Sequence, residues 1–287
     1  MKQELIDLYD EYTHTSLDRR TFLKKLAVLV GGTTAAYALL PLLENNYARA
    51  AMVAENDNRL STEYITYPGA SGELRGYLVK PKTATGKLSA IIVIHENRGL
   101  NPHIEDVARR AALEGYLVLA PDLLSPLGGT PDDPDEAREL IGELDEQETV
   151  NDLLATLAFL KNHPDSSGKV GSVGFCWGGG MTNQLAVKAP DLDAAVVFYG
   201  ASPATEQVPA IQAPLLLHYA GLDERINAGV PAYEEALKAA DKTYTLYRYD
   251  DVNHAFHNDA NPARYDAEAA KLAWERTMAF FDEHLKA

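Results

Sequence analysis

A chain of 287 residues, 46% hydrophobic and 24% charged, can bury about 70–75% of its unfolded surface in one large domain, which excludes disorder along its whole length. Its formal net charge of −16 opposes binding nucleic acid or anionic lipid through a basic face. The single cysteine excludes an intrachain disulfide and a thiolate zinc cluster.

Residues 1–50 come first. Arg19-Arg20-Thr21-Phe22-Leu23-Lys24-Lys25 precedes an uncharged run, Leu26 to Leu43, and Ala48-Arg49-Ala50 is a small-x-small cleavage pattern. The paired arginines resemble a twin-arginine export signal. Residues 1–50 are therefore expected to be a signal segment, and residues 51–287 an exported, periplasmic domain with no stable membrane partner. Two features point elsewhere. Asp18 stands where such signals carry Ser or Thr, and Leu5, Ile6, Leu8, Tyr9 and Tyr12 recur at helical spacing. One alternative is a retained helical arm on a cytoplasmic protein, packed on the body or on a second subunit. Another is an uncleaved anchor, for which Gly31-Gly32 and Pro41 make a poor spanning helix.

Beyond Leu60, short apolar strands alternate with amphipathic helices. Glu63–Tyr67 and Leu74–Lys80 read as strands joined by a turn at Pro68–Gly72. The next strands are continuously apolar, as in parallel sheets buried on both faces: Ala90–Ile94, Tyr116–Ala120, Lys169–Phe175, Ala194–Tyr199, Leu215–Tyr219 and Tyr244–Tyr249. Helical segments fall at Ile104–Glu114, Glu148–His163, Gly179–Ala189, Val230–Ala240 and Tyr265–Lys286. This alternation predicts an α/β fold with a mostly parallel sheet and right-handed crossovers, with chemistry at the carboxyl ends of the strands. Ser125–Asp135, rich in Gly, Pro and Asp, reads as a surface connector.

A lone cysteine is by default a small buried hydrophobe. Here Lys169–Phe175 runs straight into Gly174-Phe175-Cys176-Trp177-Gly178 and then a helix. That is the strand–turn–helix context of a nucleophile elbow, with Cys in place of Ser. The flanking glycines admit the neighbouring strand and helix, and the helix N-terminus favours negative charge on the sulfur.

The elbow demands an acid and then a histidine later in the chain. Asp223 follows the strand Leu215–Tyr219, and His254 follows Tyr244–Tyr249. His254 is the expected base, oriented by Asp223. His257 is a competitor. A His-x-x-His pair also suggests metal, but no third ligand at sensible spacing accompanies it, so no metal or cofactor is expected. His14, His103, His163, His218 and His284 carry no positional signal.

Gly-Phe-Cys-Trp-Gly-Gly at 174–179, Gly-Leu-Asp at 221–223, Asn-His-Ala-Phe at 253–256 and His-Glu-Asn-Arg-Gly at 95–99 together resemble the dienelactone hydrolase (carboxymethylenebutenolidase) family, of α/β-hydrolase fold. Gly115-Tyr116 and Ala120-Pro121-Asp122 add to the likeness, which runs from about Glu63 to the C-terminus. The resemblance implies that Glu96 holds the resting thiol and helps take its proton. It also implies an oxyanion hole from the amides of Asn97 and Trp177. Trp177, Tyr199 and Phe256 would line the pocket. The family grips a substrate carboxylate with two arginines. At one of these positions the chain has Asn258; near the other lies Arg138; Arg98 is a candidate replacement. The expected function is hydrolysis of a small ester or lactone through a cysteine acyl-enzyme, by a monomer or homodimer. A broader carboxylesterase or thioesterase uses the same triad. An exported binding protein on a degenerate scaffold is opposed by the four filled catalytic positions.

Overall fold

The computed structural model describes residues 1–15, 17–47 and 51–286. In chain order, the body comprises β1 (Leu60–Pro68), β2 (Glu73–Pro81), β3 (Leu88–Ile94), α4 (Pro102–Leu113), β4 (Leu117–Asp122), α5 (Pro134–Glu143), α6 (Glu146–Asn162), β5 (Ser166–Phe175), α7 (Trp177–Lys188), β6 (Ala194–Phe198), β7 (Leu215–Ala220), α8 (Glu224–Asn227), α9 (Val230–Ala239), β8 (Tyr244–Tyr249) and α10 (Ala267–Leu285). Three helices precede it: α1 (Gln3–His14), α2 (Arg19–Val30) and α3 (Thr33–Leu43).

The strands form one sheet in the order β1-β2-β4-β3-β5-β6-β7-β8. β1 and β2 are the expected antiparallel hairpin, β2 runs antiparallel to β4, and the remaining pairs are parallel. The apolar strands explain this. Ile91–Ile94 and Val196–Phe198 are fully buried, because helices cover both faces of the sheet. Each such Ile, Val or Leu contributes about 1.5–3 kcal/mol on burial. β3 pairs with β4 on one side and β5 on the other. The strand order reverses there, which opens a crevice beyond their carboxyl ends. The loops after β3 and β5 carry Glu96–Arg98 and Cys176 into that crevice.

One expectation needs correcting. Ser125–Asp135 is only partly a connector, since Asp133 caps α5 by accepting from the Asp135 amide at 2.8 Å. Pro134 sits in the first turn of that helix, where its missing N–H leaves no bond unmade.

The first 43 residues fold as three helices. Asp18 caps α2, its side chain accepting from the Thr21 amide at 3.0 Å. Such a cap is worth roughly 1 kcal/mol. Leu5, Leu8, Tyr9, Tyr12, Phe22, Leu26, Leu40 and Leu43 make a small core of their own, with Tyr12 stacked on Phe22 at 4.5 Å. Among the described residues, Ala263 is the body residue packed against that core. The arm docks chiefly through polar and cation–π contacts. Arg264 lies over Tyr9 at 5.2 Å and Arg138 over Tyr12 at 4.5 Å. Tyr12 donates to Asp135 at 2.7 Å, and Asn261 Nδ2 donates to the Leu43 carbonyl at 2.6 Å.

The twin-arginine-like residues thus have places in a folded unit. Arg19 pairs with Asp135 and Glu44, and Phe22 is fully buried. No single described helix is long and apolar enough to cross a membrane. The α2–α3 pair passes on length and composition together, but is bent by 110°. Ala48-Arg49-Ala50 lies outside the described residues.

Candidate active site

Cys176 sits between β5 and α7 with φ 56° and ψ −118°, a sparsely populated conformation that costs about 1–3 kcal/mol. The surrounding chain enforces it. A Cβ on Gly178 would meet the His95 carbonyl oxygen at 2.3 Å, and one on Gly174 would meet the Gly178 oxygen at 2.0 Å. The Cys176 amide donates to the Phe198 carbonyl at 3.0 Å. Tyr199 (φ 40°) and Ala255 (φ 61°), at two other loop ends beside the site, are strained in the same sense.

The expected acid and base meet. His254 Nδ1 lies 2.5 Å from Asp223 Oδ2, with both residues buried. Burial alone would push the His254 pKa down. The charges of Asp223, Cys176 and Asp10 outweigh it and raise the group to about 9. Burial would raise the carboxyl of Asp223, but the His254 charge and its hydrogen bond hold it below the ordinary value. His254 Nε2 is buried without a hydrogen-bond partner among the described residues. A ring nitrogen of His254 lies within 4.8 Å of Cys176 Sγ.

His257, the competing base, belongs to the core. Its ring stacks on Phe175 at 5.0 Å, and burial, together with nearby Arg110 and His103, pushes its pKa well down. His95 is a bridge between loops. Its Nδ1 lies 2.7 Å from the Glu96 carbonyl oxygen, its Nε2 accepts from the Leu123 amide at 3.3 Å, and its ring stacks on Trp177 at 5.3 Å. The Trp177 amide, first in α7, is one of the helix donors without an intrahelical acceptor. Asn97 is on the opposite loop, and its side chain donates to the Thr13 carbonyl at 2.8 Å.

Five expected site residues make different contacts. Glu96 does not hold the thiol: its oxygens accept from Asn258 Nδ2 at 2.6 Å and from Tyr199 Oη at 3.4 Å. Asn258 and Tyr199 are fully buried and serve Glu96 rather than a substrate. Phe256 is fully buried in the core beneath the site, packed on Tyr199 and Tyr249. Arg98 is no free positive charge. It pairs with Asp135 at 3.0 Å and donates to the Pro134 carbonyl, tying the β3 loop to α5.

The residue that sequence reasoning missed is His14. Its Nε2 lies 3.2 Å from Cys176 Sγ, and its ring meets that of His254 at 4.6 Å, edge to face. Its Nδ1 faces the Asp10 carbonyl at 3.0 Å, Asp10 Oδ1 at 3.2 Å and Thr13 Oγ1 at 3.0 Å. The available signal was weak: Asp10 and His14 are four residues apart, on one face of a helix. One donor atom each from His14, Cys176 and His254 lie within 4.8 Å of one another.

A cavity of about 620 Å³ opens onto the sulfur. Cys176, His254, Trp177 and Met181 line it from the body, Arg138 and Ile141 from α5, and His14 and Leu17 from the arm. A larger cavity of about 730 Å³ between the arm and α5 does not reach Cys176. Arg138 lies in both cavities, but it donates to the Tyr12 carbonyl and stacks on that ring.

A sequence model described as the dienelactone hydrolase family matches residues 74–285, and a second, described as YqhI-like, matches residues 1–31. The "Putative carboxymethylenebutenolidase" of Saccharolobus solfataricus is 34% identical over 252 residues, covering 75% of this chain and 96% of that protein. The "Putative hydrolase fragment YghX" of Escherichia coli is 55% identical over 112 residues, covering 38% of this chain and 96% of the fragment. A crystal structure of a "Putative Dienelactone Hydrolase" from Klebsiella pneumoniae superposes with a TM-score of 0.71 at 31% identity, over 78% of this chain and 99% of that one. The chain belongs to the dienelactone hydrolase family and is a hydrolase of ester or lactone bonds.

Proposed function

We propose that the chain hydrolyses a small ester or lactone through a thioester on Cys176. The observation that carries this is the strained turn, which holds the sulfur in a 620 Å³ cavity beside a histidine already oriented by an aspartate. Attack on the carbonyl carbon develops charge on its oxygen. The amides of Asn97 and Trp177, on facing loops at the helix N-terminus, are the donors proposed to receive it. Each donor of this kind is worth about 3–4 kcal/mol. With its pKa near 9, His254 carries a proton at neutral pH and delivers it to the leaving alkoxide. It then takes one from the water that cleaves the thioester.

The substrate in this reading does not depend on a carboxylate grip. Asn258 is buried on Glu96, Arg98 is paired with Asp135, and Arg138 is stacked on Tyr12. The test compares p-nitrophenyl acetate with small lactones bearing and lacking a carboxylate. Turnover of the neutral compounds at similar kcat/KM, with a burst of p-nitrophenol, is expected. No turnover of any ester or lactone overturns the reading.

A further inference from the structure

We propose that His14, carried into the site by the N-terminal arm, is the base that takes the proton from Cys176, with Asp10 behind it. This rests on Cys176 being the nucleophile, and extends that reading to a residue outside the span matched by the hydrolase family.

Contact with the sulfur supports it first. His14 Nε2 is 3.2 Å from Sγ, whereas His254 Nε2 has no hydrogen-bond partner among the described residues. The tautomer agrees. Around Nδ1 of His14 stand three oxygens, two of them from Asp10. Nδ1 therefore carries the hydrogen, which leaves the Nε2 lone pair for the S–H. Asp10 is itself fixed from the body, by Arg264 at 3.4 Å and Arg225 at 3.8 Å. Burial would raise its carboxyl, but the charge of His254, the hydrogen bond from His14 and the charge of Arg264 keep it ionised. The two other candidates for the proton are occupied: Glu96 accepts from Asn258 and Tyr199, and His254 already holds its own proton.

The sulfur thus lies between two Asp–His pairs. The S–H proton passes to Nε2 of His14, and the thiolate electron pair forms the C–S bond as the carbonyl electrons move to oxygen. Those electrons return, the C–O bond to the alcohol breaks, and the alkoxide takes the proton of His254. Water then gives a proton to His254, and the hydroxide displaces the thiolate. Cys176 recovers its proton from His14, so one ester and one water become one acid and one alcohol.

The test uses the full chain, in single turnover with p-nitrophenyl acetate and in alkylation of Cys176 by iodoacetamide at fixed pH. In His14→Ala the burst is expected to slow by about 10²-fold and alkylation to slow with it. Imidazole added to the buffer should restore part of the burst. Asp10→Asn keeps the ring and should also slow the burst, by about tenfold or more; it carries the test if His14→Ala does not fold. A burst and alkylation at the parent rate overturn the proposal. A faster burst overturns it too, and makes the arm a plug. A slow burst that imidazole does not rescue assigns His14 a structural role, and also overturns it. Cys176→Ala separates the two readings: if it still shows the burst, the nucleophile assignment is what has failed.

Discussion

Cys176 stands between two Asp–His pairs held in place by different means. Asp223 follows β7, a fully buried strand, His254 follows β8 at the sheet edge, and both residues are buried in the body. Asp10 and His14 sit on one helix of an arm that has a separate small core and docks chiefly through polar contacts. The first pair is fixed because the strands that lead to it cannot shift without disturbing the core. The second is fixed by a few ion pairs, hydrogen bonds and ring contacts, each worth little on a protein surface. A site built this way has one half that is lost only on global unfolding and another that opens locally.

The largest effect tests what the two pairs share. Cys176→Ala is expected to lose about 10⁴-fold or more in kcat/KM on p-nitrophenyl acetate, since removal of a nucleophile disables both. His254→Ala should follow, with a loss of about 10²–10⁴-fold in steady-state kcat. Its deacylation should fail along with leaving-group protonation, so acyl-enzyme accumulates. His14→Ala should instead slow acylation, and the ratio of burst to steady-state rate separates the two histidines.

A smaller effect tests the support beneath them. Asn258→Leu strands a buried Glu96 oxygen, which costs about 1–3 kcal/mol, or roughly 2–4 °C in Tm per kcal/mol. The melting curve checks it, and an unchanged Tm would mean that Glu96 has another partner. The smallest effect concerns pH. The folded-state pKa of His254 is raised from 6.5 to about 9. Its contribution to stability is therefore full below pH 6.5 and is lost as pH rises through 9. Urea titrations of the parent and His254→Gln should show a stability gap that shrinks between a pH below 6.5 and one above 9. A gap that widens contradicts the assignment.

The body was readable because its signals are redundant. Short, β-branched apolar runs such as Ala90–Ile94, alternating with amphipathic segments, fit strands buried on both faces, and Gly174-Phe175-Cys176-Trp177-Gly178 meets a steric demand of the tight turn. Asp223 and His254 came from their order along the chain. The substrate-side residues were not readable in the same way. Asn258, Tyr199 and Phe256 occupy expected positions in sequence, but their side chains turn into the core, and only three-dimensional packing determines that. His14 was invisible because its partner is 162 residues away, and its own neighbourhood reads equally well as an amphipathic helix. The arginine pair illustrates the same limit: Arg19-Arg20 matches part of an export signal, while Asp18 and Arg19 fit a capped, ion-paired helix. Those two readings make opposite demands. Cleavage before Ala51 would remove His14, so enzyme isolated from its own host is expected to retain the arm, which N-terminal sequencing checks.

The central claim is that acyl transfer runs through the sulfur. Acid-quenching the burst with p-nitrophenyl acetate, followed by proteolysis and mass spectrometry, tests it most directly. The account predicts one acetyl group on the peptide carrying Cys176, present in His254→Ala and absent in Cys176→Ala. An acetyl group on another residue, or a burst with no acetylated peptide, would contradict it.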